Sequence, residues 1–185
     1  MAYLAPAIEA GRLRFFEIVE DDAPWHAARA KNLAHRLARG SYLFNLDADN
    51  FLSRKDAGLI RAARDEGLGC RQGTGNIRDG TPGRIGISST VFFDLGGYDE
   101  GLLGMTVQDL DLIVRAEAAG YRFVRLGPPE RMPVQNSRTE RLEQYLATSI
   151  PKPEDYDRLG QVNTVCALNS RGRAGGTTSR RFADG

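Results

Sequence analysis

Short apolar runs alternate with amphipathic stretches along most of this chain, and that alternation restricts its fold more than any other feature. Over 25–39, Ala27, Ala30, Leu33, Ala34, Leu37 and Ala38 recur three and four apart with arginines between them, the period of an amphipathic helix that Gly40 closes. Tyr42-Leu43-Phe44-Asn45-Leu46 is mostly apolar, as a strand covered on both faces should be. Further on, the spacing predicts a helix over 55–66, a strand and short helical turn over 85–93, a helix over 108–119 capped by Gly120, and a strand over 121–126. A last helix is expected over 137–148. Upstream, 3–10 reads as a helix stopped by Gly11, and 13–19 is rich enough in aromatic and β-branched residues to predict a strand. Strands alternating with helices predict an α/β fold, a mainly parallel sheet flanked by helices. In such sheets ligands bind outside the carboxyl ends of the strands.

A chain of 185 residues fits one domain. We expect a catalytic domain over 1–150 and an extension over 151–185, whose Gly-, Ser-, Thr- and Arg-rich end carries too few apolar groups to repay the entropy of ordering. The formal net charge of +1 provides no whole-protein field for a polyanion, which disfavours a general nucleic-acid binder. Cys70 and Cys166 lack the density of a disulfide scaffold and the spacing of a C-x-x-C site. With no apolar run near the roughly 20 residues a membrane helix needs, a cytoplasmic setting without a transmembrane segment is expected. The glycine-rich stretch 67–86 does not match a dinucleotide fingerprint and reads as a lid-like loop. Its Arg71, Arg78 and Arg84 could clamp a diphosphate or simply be solvated.

Two constellations carry chemistry. Asp47-Ala48-Asp49 follows directly on the 42–46 strand, so two carboxylates one residue apart stand at a strand's carboxyl end. One can hold a hard divalent cation while the other grips a sugar hydroxyl or water, and the same residues could equally be turn formers. A calcium loop is excluded, because Leu52 stands where the sharp turn needs glycine and Gly58 where a closing Glu is required. The second constellation is Gly96-Gly97-Tyr98-Asp99-Glu100, followed by Gln108-Asp109-Leu110-Asp111-Leu112 and Arg115. A carboxylate at a helix start points off the sheet edge, and the helix dipole favours negative charge there, so Asp109 is suited to accept a hydroxyl proton. Capping by Asp109 and an i,i+4 pair between Asp111 and Arg115 are the structural alternatives.

Taken together, in this order and spacing, these segments resemble family 2 glycosyltransferases of the GT-A fold and the C-terminal catalytic segment of the animal galactosyltransferases. The likeness takes in Ala30-Lys31-Asn32-Leu33 in the preceding helix and spans roughly residues 1 to 140. It implies transfer of a sugar, with inversion, from a UDP- or GDP-sugar donor to a glycan or other hydroxyl acceptor, assisted by Mn²⁺ or Mg²⁺. By that resemblance Asp49 would ligate the metal, Asp47, Gly96, Gly97 and Arg84 would border the donor, and Asp109 would be the base. Gln108 and Asp111 would meet the acceptor. Gln108 stands where many relatives carry Glu, and Asn136 falls near the place where some supply a histidine to the metal. Relatives open with an apolar strand that cradles the nucleotide base. No such segment precedes Tyr3, so the sheet is expected to lack its first strand and to invite self-association.

Other readings stay open at this point. A nucleotidyltransferase would use a similar cation site but would show a basic, glycine-rich N-terminal loop, and a degenerate fragment would keep the fold only to bind a carbohydrate or partner. Trp25 is expected to be a packing anchor, and His26 and His35 helix-surface residues.

Overall fold

The structure, a computed structural model, describes residues 3–17, 26–76, 79–102, 107–135, 137 and 139. Its elements are α1 (Ala5–Glu9), α2 (Ala27–Leu37), β1 (Tyr42–Phe44), α3 (Arg54–Asp65), β2 (Gly69–Arg71), β3 (Ile85–Ser88), α4 (Ser89–Asp94), α5 (Gln108–Ala118) and β4 (Phe123–Arg125). The helices begin where local chemistry supplies partners for their first amides. The His26 ring accepts from the Arg29 amide ahead of α2, and Ser53 and Asp56 form a reciprocal capping box on α3.

The strands form one sheet in the order β1-β3-β2-β4. β3 runs antiparallel to both β1 and β2, and only β2 and β4 pair in parallel. The expected mainly parallel sheet is therefore corrected to a mixed one. The physical reason is the connection: parallel neighbours need a long crossover, and the stretch from β2 to β3 contains no helix among its described residues, so the chain simply turns back. β1 and β2, joined through α3, still point the same way on either side of β3. The carboxyl ends of β1, β2 and β4 consequently share one edge of the sheet.

Both faces are covered. Ala28 of α2, Phe92 of α4, and Leu112 and Ala116 of α5 pack with Leu43, Ile87 and Tyr98 on one face. Ile60 and Ala63 of α3 pack with Cys70, Tyr42 and Phe44 on the other. Gly86 lets these layers close, because a Cβ there would stand 2.5 Å from Cys70 Sγ and 2.7 Å from the Tyr42 ring.

Three further expectations change. Leu13 to Glu17 forms no strand, since β propensity without a partner edge fixes nothing, and Ile18 and Val19 lie outside the described residues. The 67–86 stretch is not wholly loop, because it holds β2. His35 is buried rather than on the surface: its ring meets Phe92 edge-on at 4.7 Å and stacks on Tyr98 at 6.0 Å. Trp25, Arg78, Asn136, Cys166, the extension 151–185 and almost all of the expected 137–148 helix lie outside the described residues. Among the described residues no helix is long and apolar enough to cross a membrane.

Candidate functional site

β1 ends at Phe44 and hands the chain to a tight turn in which the Asn50 amide donates to the Asp47 carbonyl at 2.9 Å. Asn45 Nδ2 donates to Asp47 Oδ1 at 3.1 Å and to the Gly83 carbonyl at 2.9 Å, tying the turn to the segment that enters β3. That approach requires Gly83, because a Cβ there would lie 2.7 Å from Asp47 Oδ2. Asn50 Nδ2 donates to Asp49 Oδ1 at 2.8 Å, and the Val134 amide donates to the Asp49 carbonyl at 2.9 Å. Both carboxylates stay partly exposed.

Asp109 reaches the same place from α5. Lys31, on α2, donates to Asp109 Oδ1 at 2.8 Å and Oδ2 at 3.1 Å, and its ammonium lies 3.8 Å from Asp47 Oδ1. One cation thus bridges carboxylates from two segments far apart in sequence. Lys31 also sits over the Tyr98 ring, 5.4 Å from its centroid. The Tyr98 hydroxyl is buried, and the Asp109 carboxylate lies within its reach. Burial, and then the charges of Asp109 and Asp47, push this phenol well above its ordinary pKa, so it stays neutral.

Asn32, the next residue on α2, holds Tyr98 in place. Its Nδ2 donates to the Tyr98 carbonyl at 2.9 Å and its Oδ1 accepts from the Tyr98 amide at 2.8 Å. Gly97 is at φ +79°, and a Cβ there would come within 2.5 Å of Asn32 Oδ1. The glycine pair is needed because the chain must turn left-handed and pass against this amide. Val107, at φ +58°, is a β-branched residue in the same left-handed region immediately before α5. Residues forced into such conformations concentrate where side chains must be aimed, and Asp109 is two positions on.

Five of the residues singled out from sequence sit elsewhere. Arg84 is only 1% exposed, and its guanidinium donates to Gln72 Oε1, Asn50 Oδ1 and the Phe51 carbonyl, with Asp56 at 3.8 Å. It holds β3, the turn after β1 and α3 together, which is neither a donor contact nor a solvated loop position. Asp111 is fully buried and paired with Arg115 at 2.8 Å, so the i,i+4 alternative replaces the acceptor contact. Burial raises its pKa against the lowering effect of Arg115. Arg115 in turn donates to the carbonyls of Leu95 and Gly97 and fixes the glycine turn. Gln108 is also buried, with 3% exposure, which removes it from an open acceptor surface. Gly96 and Gly97 border a cavity of about 440 Å³ shared with Asn32, Arg36, Glu100 and Arg115, and neither Asp47 nor Asp109 lines it. Lys31 is the residue that reasoning from sequence did not assign. Its only signal was its place beside Asn32 in the segment shared with the resembling enzymes.

A divalent ion would find oxygen donors of the right hardness at Asp47 and Asp49. Among the described residues, no three His, Cys, Asp or Glu side chains converge as a preformed ion site. Such a pair fits an ion completed by a ligand's own oxygens and water.

The fold and this cluster define an α/β protein with a mixed four-stranded sheet flanked by helices, compatible with a Rossmann-like class. No family model matches the chain, and no curated protein matches it.

Proposed function

We propose that the chain is a glycosyltransferase of the GT-A type, moving a sugar from a nucleoside-diphosphate donor to a hydroxyl acceptor with inversion. The observation that supports it is the cluster at the carboxyl end of β1, where Lys31 bridges Asp47 and Asp109 over the Tyr98 ring.

Asp109 acts as the base. Lys31 engages its two oxygens, and the remaining lone pairs are free in principle to accept the proton of an incoming hydroxyl. Lys31 is a positioning residue, which fixes the Asp109 rotamer and balances its charge. As Asp109 takes up the proton, the ammonium can turn to Asp47, already 3.8 Å away. Asp47 orients the donor, and Asp49 with the donor's diphosphate would hold Mn²⁺ or Mg²⁺, which supplies charge neutralisation for the leaving group. Inversion is the outcome that in-line attack with Asp109 as the single base would give.

The test is incubation of the protein with a panel of UDP- and GDP-sugars plus Mn²⁺, with and without simple glycan acceptors. Release of nucleoside diphosphate is expected for at least one donor. Silence across the panel overturns the reading.

A further inference from the structure

A second feature of the same sheet edge lies outside that chemistry. Arg71 and Arg125 are the last residues of β2 and β4, and they are direct partners in the parallel pairing of those strands. Side chains in register on adjacent strands share a face and stand about 5 Å apart at the backbone. Both arginines line a cavity of about 380 Å³ beneath the glycine-rich loop, walled by Gly73 to Asn76 and by Thr81, Pro82 and Arg84. Like charges placed side by side on a sheet repel, and a carboxylate normally relieves them. Here no partner does so: among the described residues neither guanidinium has an ion pair or a hydrogen bond. The nearby acids are engaged elsewhere. Asp56 is next to Arg84 and accepts from Gln72 and the Ser53 and Glu130 amides. Asp79 accepts from Thr74 and Thr81.

We propose that this cavity binds an oxyanion, the phosphate or carboxylate group of a small ligand, held by the paired guanidiniums of Arg71 and Arg125. Guanidiniums are suited to it because their planar forks match both groups with two parallel bonds. The cavity is the size of ordinary small-molecule sites, about 300–1,000 Å³, and opens at the carboxyl ends of two parallel strands, where such sheets take ligands. Pro82 and Arg84 line it, and Gly83 between them abuts the Asp47 carboxylate. A ligand anchored there would lie alongside the Asp47 turn. The site stands on its own geometry and does not depend on sugar transfer.

The full chain is titrated with inorganic phosphate and, separately, with glucuronate, in buffer free of divalent cations and nucleotides, by calorimetry and by thermal unfolding. Saturable binding of at least one is expected, and at ten times Kd the folding constant should rise about elevenfold. Binding of phosphate alone assigns a phosphate ester as the ligand, and binding of glucuronate alone assigns a carboxylate. Arg125→Gln, at an exposed position of an edge strand, should weaken binding roughly tenfold or more. Arg71→Gln/Arg125→Gln should abolish it, while Arg122→Gln, in the same strand region but outside the cavity, leaves it unchanged. If neither anion binds, or if affinity survives in folded Arg125→Gln, the proposal is overturned.

Discussion

His35 makes the stability of this protein depend on pH in a calculable way. Its ring is 7% exposed, packed between Phe92 and Tyr98. Burial, and then the charge of Lys31, lower its pKa from 6.5 to about 4. The folded value lies below the unfolded one, so as pH falls the unfolded chain takes up the proton first. The stabilisation is therefore complete above pH 6.5 and drains away down to about pH 4. At about 1.4 kcal/mol per unit, the loss between pH 7.5 and pH 4.5 comes to roughly 2.5 kcal/mol, a large share of a domain's typical 5–15 kcal/mol. Urea denaturation of the wild type and of His35→Phe at several pH values across that range measures it. The variant keeps an aromatic ring against Phe92 and cannot titrate, so its stability should fall by about 2.5 kcal/mol less than that of the wild type. Parallel pH profiles for the two proteins would show that His35 does not carry this dependence.

Two further perturbations probe how the cluster is built. Lys31→Met and Asp109→Asn, measured singly and together, should show a coupling free energy of about 1–3 kcal/mol, between the values of exposed and buried pairs, and a coupling below about 0.5 kcal/mol would mean that Lys31 does not hold Asp109. Gly97→Ala places a Cβ against Asn32 at a left-handed φ and should cost about 2 kcal/mol or more in denaturant unfolding; a cost under about 0.5 kcal/mol would show that the glycine turn tolerates a side chain.

Much of the secondary structure was legible in the sequence because it rests on local periodicity. The apolar spacing in α2, α3 and α5 and the apolar run of β1 need no knowledge of partners. β2 was illegible because three residues, Gly69-Cys70-Arg71, make no pattern, and its strand conformation comes from pairing with β3 and β4. Strand direction was illegible for the same reason: nothing local tells Ile85 to Ser88 to run against both neighbours. At the site, the sequence pointed to Asp47 and Asp109, and the structure joins them through Lys31. The structure buries Arg84, Gln108 and Asp111, and a polar residue near a turn looks the same in sequence whether it faces a ligand or satisfies a buried network. Burial and partner geometry alone separate those cases. Lys31 fell on the border of an amphipathic stripe, where charge is ordinary and its target, on α5, is set by helix packing.

The claim that Asp109 takes the acceptor's proton is tested most directly by comparing Asp109→Asn with the wild type on whichever donor and acceptor the Mn²⁺ panel identifies. Donor affinity is read by calorimetry and turnover by nucleoside diphosphate release. Donor affinity should be nearly unchanged and turnover lower by on the order of a hundredfold or more. Turnover within a few-fold of the wild type would contradict it.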